Sequence, residues 1–203
     1  MKISIISGSH RPDSQSGKVA RHIQNELAAG ISEESWLLDL GRTPFPLWDE
    51  GVWNKDPDWT ARLAPVREQL AGSDAFVIIT PEWHGQVPAG LKNFFLLFGK
   101  AELGHKPALI VAVSSGAGGA YPVAELRMSS YKNCRICYIP DHVIIREVES
   151  VLNEDPEKND QRADPWYRER LRWSLEILRE YAVALAKVRA SGITENDKFG
   201  FGM

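Results

Sequence analysis

An α/β fold with an open, doubly wound parallel sheet is predicted by three observations. Short apolar runs and helical patterns alternate along the chain, the signature of right-handed βαβ crossovers. Several runs are β-branched and nearly continuously apolar, as strands buried on both faces must be. Three of them open into loops that carry ligand-binding chemistry, one rich in hydroxyls, one aromatic and one rich in glycine, and an open sheet of this kind binds ligands beyond its strands' carboxyl ends.

The elements follow in order. Strands are expected at Ile3–Ile6, Trp36–Leu40, Ala75–Thr80 and Ala108–Val113, with a fifth near Cys137–Ile145. Pro140 interrupts the fifth and places it at an edge. Helices are expected at Lys18–Ala29, Thr60–Ala71, Pro88–Phe98 and about Pro122–Lys132. Five strands so connected predict the order 2-1-3-4-5. Residues 147–164 are polar, mixed in charge and aperiodic, and read as a surface loop. Asp164 as N-cap and Pro165 at the first position announce a last helix. Its apolar residues Leu171, Leu175, Leu178, Ala182 and Leu185 recur at steps of three and four, which gives it one buried face. Residues 1–190 thus form one domain, and 191–203 a short tail that stays frayed unless Phe199 and Phe201 dock on a neighbour.

The 203 residues are 43% hydrophobic and 25% charged, with a net charge of −3. Such a balance argues against nucleic acid or a membrane surface as partner. No apolar run approaches the roughly 20 residues that span a bilayer. The chain enters a strand with no basic leader, so the cytoplasm is the expected compartment. Cys134 and Cys137 form a C-x-x-C pair, but it straddles a helix end and a strand start, without further ligands nearby. Both are read as packing residues.

Three loops meet where the strand order reverses. The first, Gly8–Lys18, offers hydroxyls, helix N–H groups and the forked cation of Arg11 to a phosphate. It is not a Walker A loop, because Pro12 and Val19 stand at its glycine and hydroxyl positions. His10 breaks the dinucleotide glycine pattern and reads as solvent-facing, and Lys18 reads as a surface charge. A second loop, Pro81 to Pro88, sets Trp83 and His84 beside Gly85 and suits a flat heterocycle. The third, Ser114 to Tyr121, places three glycines in four residues, which lets backbone N–H groups approach a ligand closely.

Two apolar features stand outside these loops. Phe94 to Phe98 would make a helix apolar around nearly its whole circumference, so it needs a second cover besides its own sheet. Either another subunit or the chain's own 41–58 loop would supply it. Trp48, Trp53 and Trp59 in the 43–59 segment either wall the ligand site or bury themselves in an ordered surface loop.

The strings GSHRPDSQSGK, PEWHGQVPAGLKN and SSGAGGAYPVAELR, in this order at these strand ends, resemble the NADPH-dependent FMN reductase family. The similarity covers about residues 1–146. It implies a flavodoxin-like three-layer sandwich. It also implies hydride transfer from NADPH or NADH through bound FMN to a small-molecule electron acceptor, in a ping-pong cycle. Carried over by position, Ser9, Arg11, Ser14 and Ser16 would hold the FMN phosphate, with Gln15 contributing through its backbone. Pro81, Glu82, Trp83, His84 and Gly85 would line the flavin ring. Ser115, Gly116, Gly118 and Gly119 would face the other side of its edge. No residue of the protein need be an acid–base catalyst, because the flavin carries the hard step. Independently of the resemblance, the apolar surface of the Pro88–Phe98 helix makes a homodimer or homotetramer through it the expected assembly. Two departures stand out. Trp83-His84 replaces the usual Tyr-Asn, and Phe95 to Phe98 replaces an Asp-Trp pair. An electron carrier or a non-catalytic flavin or quinone sensor are the alternative functions.

Overall fold

The computed structural model describes residues 1–199. Strands β1 (Lys2–Ser7), β2 (Glu34–Asp39), β3 (Ala75–Pro81), β4 (Pro107–Val113) and β5 (Cys137–Ile145) form one sheet in the order β2-β1-β3-β4-β5. Every neighbouring pair is parallel. Pro140 lies in β5 at the sheet edge, as expected, where the pairing with β4 shifts register.

Helices cover both faces, and strand alternation decides which residue meets which layer. Ile3, Ile5, Val77, Ile79, Leu109 and Val111 pack under α1 (Gln15–Glu26) and α6 (Ala163–Ala190). Ile6, Phe76, Ile78, Ile110 and Ala112 pack on the opposite face. That face is covered by α2 (Pro57–Ala71), α3 (Ala89–Leu97), the short α4 (Lys100–Leu103) and α5 (Ala120–Glu125). Lys106 is buried beside this layer, and its Nζ donates to Leu70 O, Ala71 O and Glu102 O at 2.9, 2.7 and 2.8 Å. It adds a donor to carbonyls at the end of α2 and in α4.

Helix starts differ from the expectation by a few residues, each for a capping reason. Helix α1 begins at Gln15 because the Ser14 hydroxyl accepts from Gly17 N at 2.9 Å. Helix α2 begins at Pro57, with the Asp56 carboxylate accepting from Asp58 N at 2.8 Å. Asp164 is not the N-cap of α6. Asp160 accepts from Arg162 N and Ala163 N at 2.9 and 2.7 Å, while Asp164 accepts from Leu152 N at 2.6 Å and pairs with Arg168.

The second cover of α3 comes largely from the chain itself. Asn93 Oδ1 accepts from Trp48 N and its Nδ2 donates to Pro46 O, both at 2.8 Å, and Phe45 packs edge-on against Phe98. Phe94, Leu97 and Phe98 are buried, and Leu96 stays 64% exposed. The tryptophan segment folds on itself: Trp59 is buried with Nε1 on Asp49 at 2.9 Å, and Trp48 meets Trp53 edge-on. Cys134 is buried and its thiol donates to Ser130 O at 2.9 Å, while Cys137 opens β5. Burial pushes the Cys134 thiol up to about 11, the opposite of a reactive thiolate. Phe199 remains exposed, and Phe201 lies outside the described residues. Among the described residues, no helix is long and apolar enough to cross a membrane.

Candidate cofactor site

At the carboxyl end of β1 the chain must pass between β3 and α3. A Cβ on Gly8 would lie 2.6 Å from both Ile79 O and Leu91 Cδ2, so only glycine fits, and its N–H donates to Ile79 O at 2.8 Å. Ser9 follows, buried, its hydroxyl accepting from Arg11 N at 3.3 Å. Ser14 caps α1 through its oxygen lone pair and keeps its O–H to donate. Ser16 Oγ and Gln15 Oε1 are buried without a hydrogen-bond partner among the described residues. Such orphans cost stability unless a ligand or water satisfies them. Arg11 is exposed and has no carboxylate partner among the described residues.

Ser9, Arg11, Ser14, Gln15 and Ser16 line one cleft of about 110 Å³, together with Pro81, Glu82 and Trp83 from the second loop and Ser115 from the third. The expected convergence of three loops is therefore present. Val113, Val148 and Glu149 also line it, and sequence reading did not place them there.

The second loop is a tight turn. Trp83 and Gln86 exchange backbone hydrogen bonds at 3.1 and 3.0 Å, and His84 and Gly85 at its tip have φ of 50° and 72°. Two successive left-handed residues are the type I′ pattern. This uses the N–H of Trp83, and Glu82 N donates to Val113 O at 3.0 Å. Among the described residues, the N–H groups of His84 and Gly85 at the tip have no such acceptor. His84 and Gly85 stand outside the narrow cleft. His10 is exposed as expected, yet it is not idle: its ring meets Trp83 edge-on at 4.5 Å, and it rests over Gly90 at the start of α3.

Of the third loop, Gly116, Gly118 and Gly119 also lie outside the cleft. Gly119 has φ 108° and is buried against Ile144, where a Cβ would lie 2.3 Å from Cγ2. Its N–H donates to Glu82 Oε2 at 2.5 Å, so it is not free to face a ligand as expected. Gly118 passes Glu82 so closely that a Cβ would sit 2.8 Å from Oε1.

Lys18 corrects the reading of a surface charge. Its Nζ donates to Val148 O, Val151 O and Asn153 Oδ1 at 2.6, 2.8 and 2.9 Å. Burial lowers its ammonium to about 8, against the pull of Glu149 and Asp164. Burial and the nearby Arg168 also lower His22. The 147–164 stretch is likewise more than surface, because Val148, Val151 and Leu152 are buried in the α1–α6 layer.

A five-stranded 2-1-3-4-5 sheet with helices on both faces, and a cleft where the loops after β1, β3 and β4 meet, defines a flavodoxin-like protein. The NADPH-dependent FMN reductase family pattern matches residues 1–150, and the chain belongs to that family. It is an oxidoreductase that uses FMN and NAD(P)H. Its relatives include a quinone reductase of Escherichia coli K12, 32% identical over 63% of this chain and 68% of that protein. An NADPH azoreductase of Bacillus sp. OY1-2 is 26% identical over 71% of this chain and 76% of that one. Among solved structures, the flavoenzyme NAD(P)H:(acceptor) oxidoreductase FerB of Paracoccus denitrificans superposes with a TM-score of 0.68. It is 20% identical and covers 90% of this chain and 97% of its own. The orphaned Ser16 hydroxyl at the start of α1 is a donor that fits the phosphate end of FMN, whereas the orphaned Gln15 Oε1 is an acceptor and fits a hydroxyl of the ligand.

Proposed function

We propose that the protein reduces a small organic acceptor, a quinone or an azo compound, with reductant and acceptor occupying one place in turn. The observation that carries this is the cleft where Ser9, Arg11, Ser14 and Ser16 meet Glu82, Trp83 and Ser115. FMN, when bound, supplies a two-electron carrier that accepts hydride from the nicotinamide and passes reducing equivalents on.

Within that reading each residue has a task. The Ser9, Ser14 and Ser16 hydroxyls, the N-terminus of α1 and the Arg11 guanidinium hold the phosphate. Gln15 adds its backbone N–H. Pro81 to Gly85 place an aromatic wall and the free tip N–H groups beside the ring. Ser115, Gly116 and Gly118 approach its opposite edge. No proton transfer is assigned to His84. The named quinone reductase and azoreductase relatives support the acceptor class.

The test is steady-state kinetics of the FMN-loaded protein with NADPH or NADH against benzoquinone and an azo dye. Parallel reciprocal plots are expected with at least one acceptor. Bleaching of the bound flavin without turnover of either acceptor would favour an electron carrier, and no bleaching a sensor. We further propose a homodimer or homotetramer through α3, where Leu96 remains exposed. Sizing chromatography of the parent and of Leu96→Glu tests it.

A further inference from the structure

The third loop is held by residues that no motif marks. Val148 N donates to Ser114 O at 3.1 Å and Glu147 N to Gly116 O at 3.2 Å. Arg146 Nε is shared between Ala117 O at 2.7 Å and Gly118 O at 3.1 Å. In a trans peptide the carbonyl of one residue and the N–H of the next point in opposite directions. Drawing these carbonyls toward residues 146–148 therefore turns the N–H groups of Ser115, Ala117, Gly118 and Gly119 the other way. Gly119 supplies the check, because its N–H reaches Glu82 on the cleft side.

The stretch doing the pulling is itself anchored. Arg146 N donates to Tyr167 Oη at 3.0 Å on α6, Leu152 N donates to Asp164, and Lys18 on α1 ties down Val148 and Val151. Glu147 and Leu152 adopt left-handed backbone, with φ of 46° and 57°. Non-glycine residues keep such conformations where surrounding contacts over-determine them.

We propose that Arg146 is a positioning residue of the cofactor site. By drawing back the Ala117 carbonyl it turns the N–H of Gly118 toward the electron-rich edge of the flavin before it binds, beside the Ser115 and Ala117 N–H groups that the Val148 and Glu147 backbone turns the same way. This rests on the FMN reading and deepens it. Preset dipoles of this kind favour the more electron-rich reduced form of a bound cofactor.

The experiment compares parent, Arg146→Met and Arg146→Lys. Apoprotein is titrated with FMN and with riboflavin by fluorescence, and the reduction potential of bound FMN is measured. Arg146→Met is expected to weaken FMN and riboflavin equally, by about tenfold, because the loss lies at the ring and not at the phosphate. The potential of bound FMN should move to more negative values, and Arg146→Lys should recover most of both changes. A parent that refuses FMN would remove the cofactor reading itself. With a parent that binds, parental affinity and potential in Arg146→Met would overturn the role of Arg146. So would weakened binding at an unchanged potential. Arg146 is exposed; should Arg146→Met nevertheless fail to fold, Arg146→Gln gives the same reading. A smaller shift is then expected, and none would overturn the proposal.

Discussion

Glu82 joins two loops that are 37 residues apart, its Oε2 lying 2.5 Å from the amide nitrogen of Gly119. The bond is charge-assisted and half-buried, so it fixes the ring-lining turn and the glycine loop relative to each other. Glu82→Gln keeps the shape and loses the charge. It is expected to weaken FMN by a few-fold, since a neutral bond is worth roughly 1 kcal/mol less than a charged one. Flavin fluorescence titration measures this, and unchanged affinity would remove the role given to the carboxylate.

Arg11 stands exposed at a cleft that Glu82 and Glu149 also line, and among the described residues it makes no salt bridge. Its bond to a phosphate should contribute about 1.5–3 kcal/mol. Arg11→Ala should therefore weaken FMN by roughly one to two decades and leave riboflavin, which lacks the phosphate, nearly unaffected. A calorimetric titration with both ligands separates the outcomes; an equal loss for both would place Arg11 elsewhere in the site.

Gly119 and Gly116 differ in a way that thermal melting can read. Gly119→Ala would force a Cβ to within 2.3 Å of Ile144 at φ 108°, and should cost about 1–3 kcal/mol or more. Gly116 has open space around a Cβ, so Gly116→Ala should change stability by less than about 0.5 kcal/mol. Similar melting temperatures for the two variants would contradict this placement of the loop.

Lys18 and Lys106 are both lowered to about 8, chiefly by burial. Around Lys18 stand Glu149 and Asp164; around Lys106 stand Arg189, Asp74 and Glu102. Between about pH 8 and the unfolded value of 10.5, the unfolded chain binds more protons than the folded one. Folding stability therefore gains a contribution that rises with pH across that window. Lys18→Met and Lys106→Met should each flatten this rise in urea unfolding at pH 7, 8, 9 and 10. A parental slope retained in both variants would count against buried ammonium groups.

Strand positions and sheet order were readable because each depends on short-range pattern. Continuous β-branched runs such as Ala75–Thr80 and Ala108–Val113 fit only strands covered on both faces. The right-handed crossover rule then leaves few topologies. The phosphate loop was readable for the same reason, since Ser14 and Ser16 sit at a strand-to-helix transition where N–H groups are open by geometry. Helix starts were misplaced where a carboxylate two or three residues upstream caps the chain, as Asp56 and Asp160 do.

By itself, then, the sequence determined the layers, the strand order and which three loops share a rim, because periodicity and chirality act locally. Tertiary structure alone decided which N–H groups of those loops stay open. It spends Gly119 on Glu82 and ties Arg146 to Ala117 across 29 residues and Lys18 to Val148 across 130. Hydrogen-bond partners at such separations follow from how packed elements meet, and no local pattern in the chain encodes them.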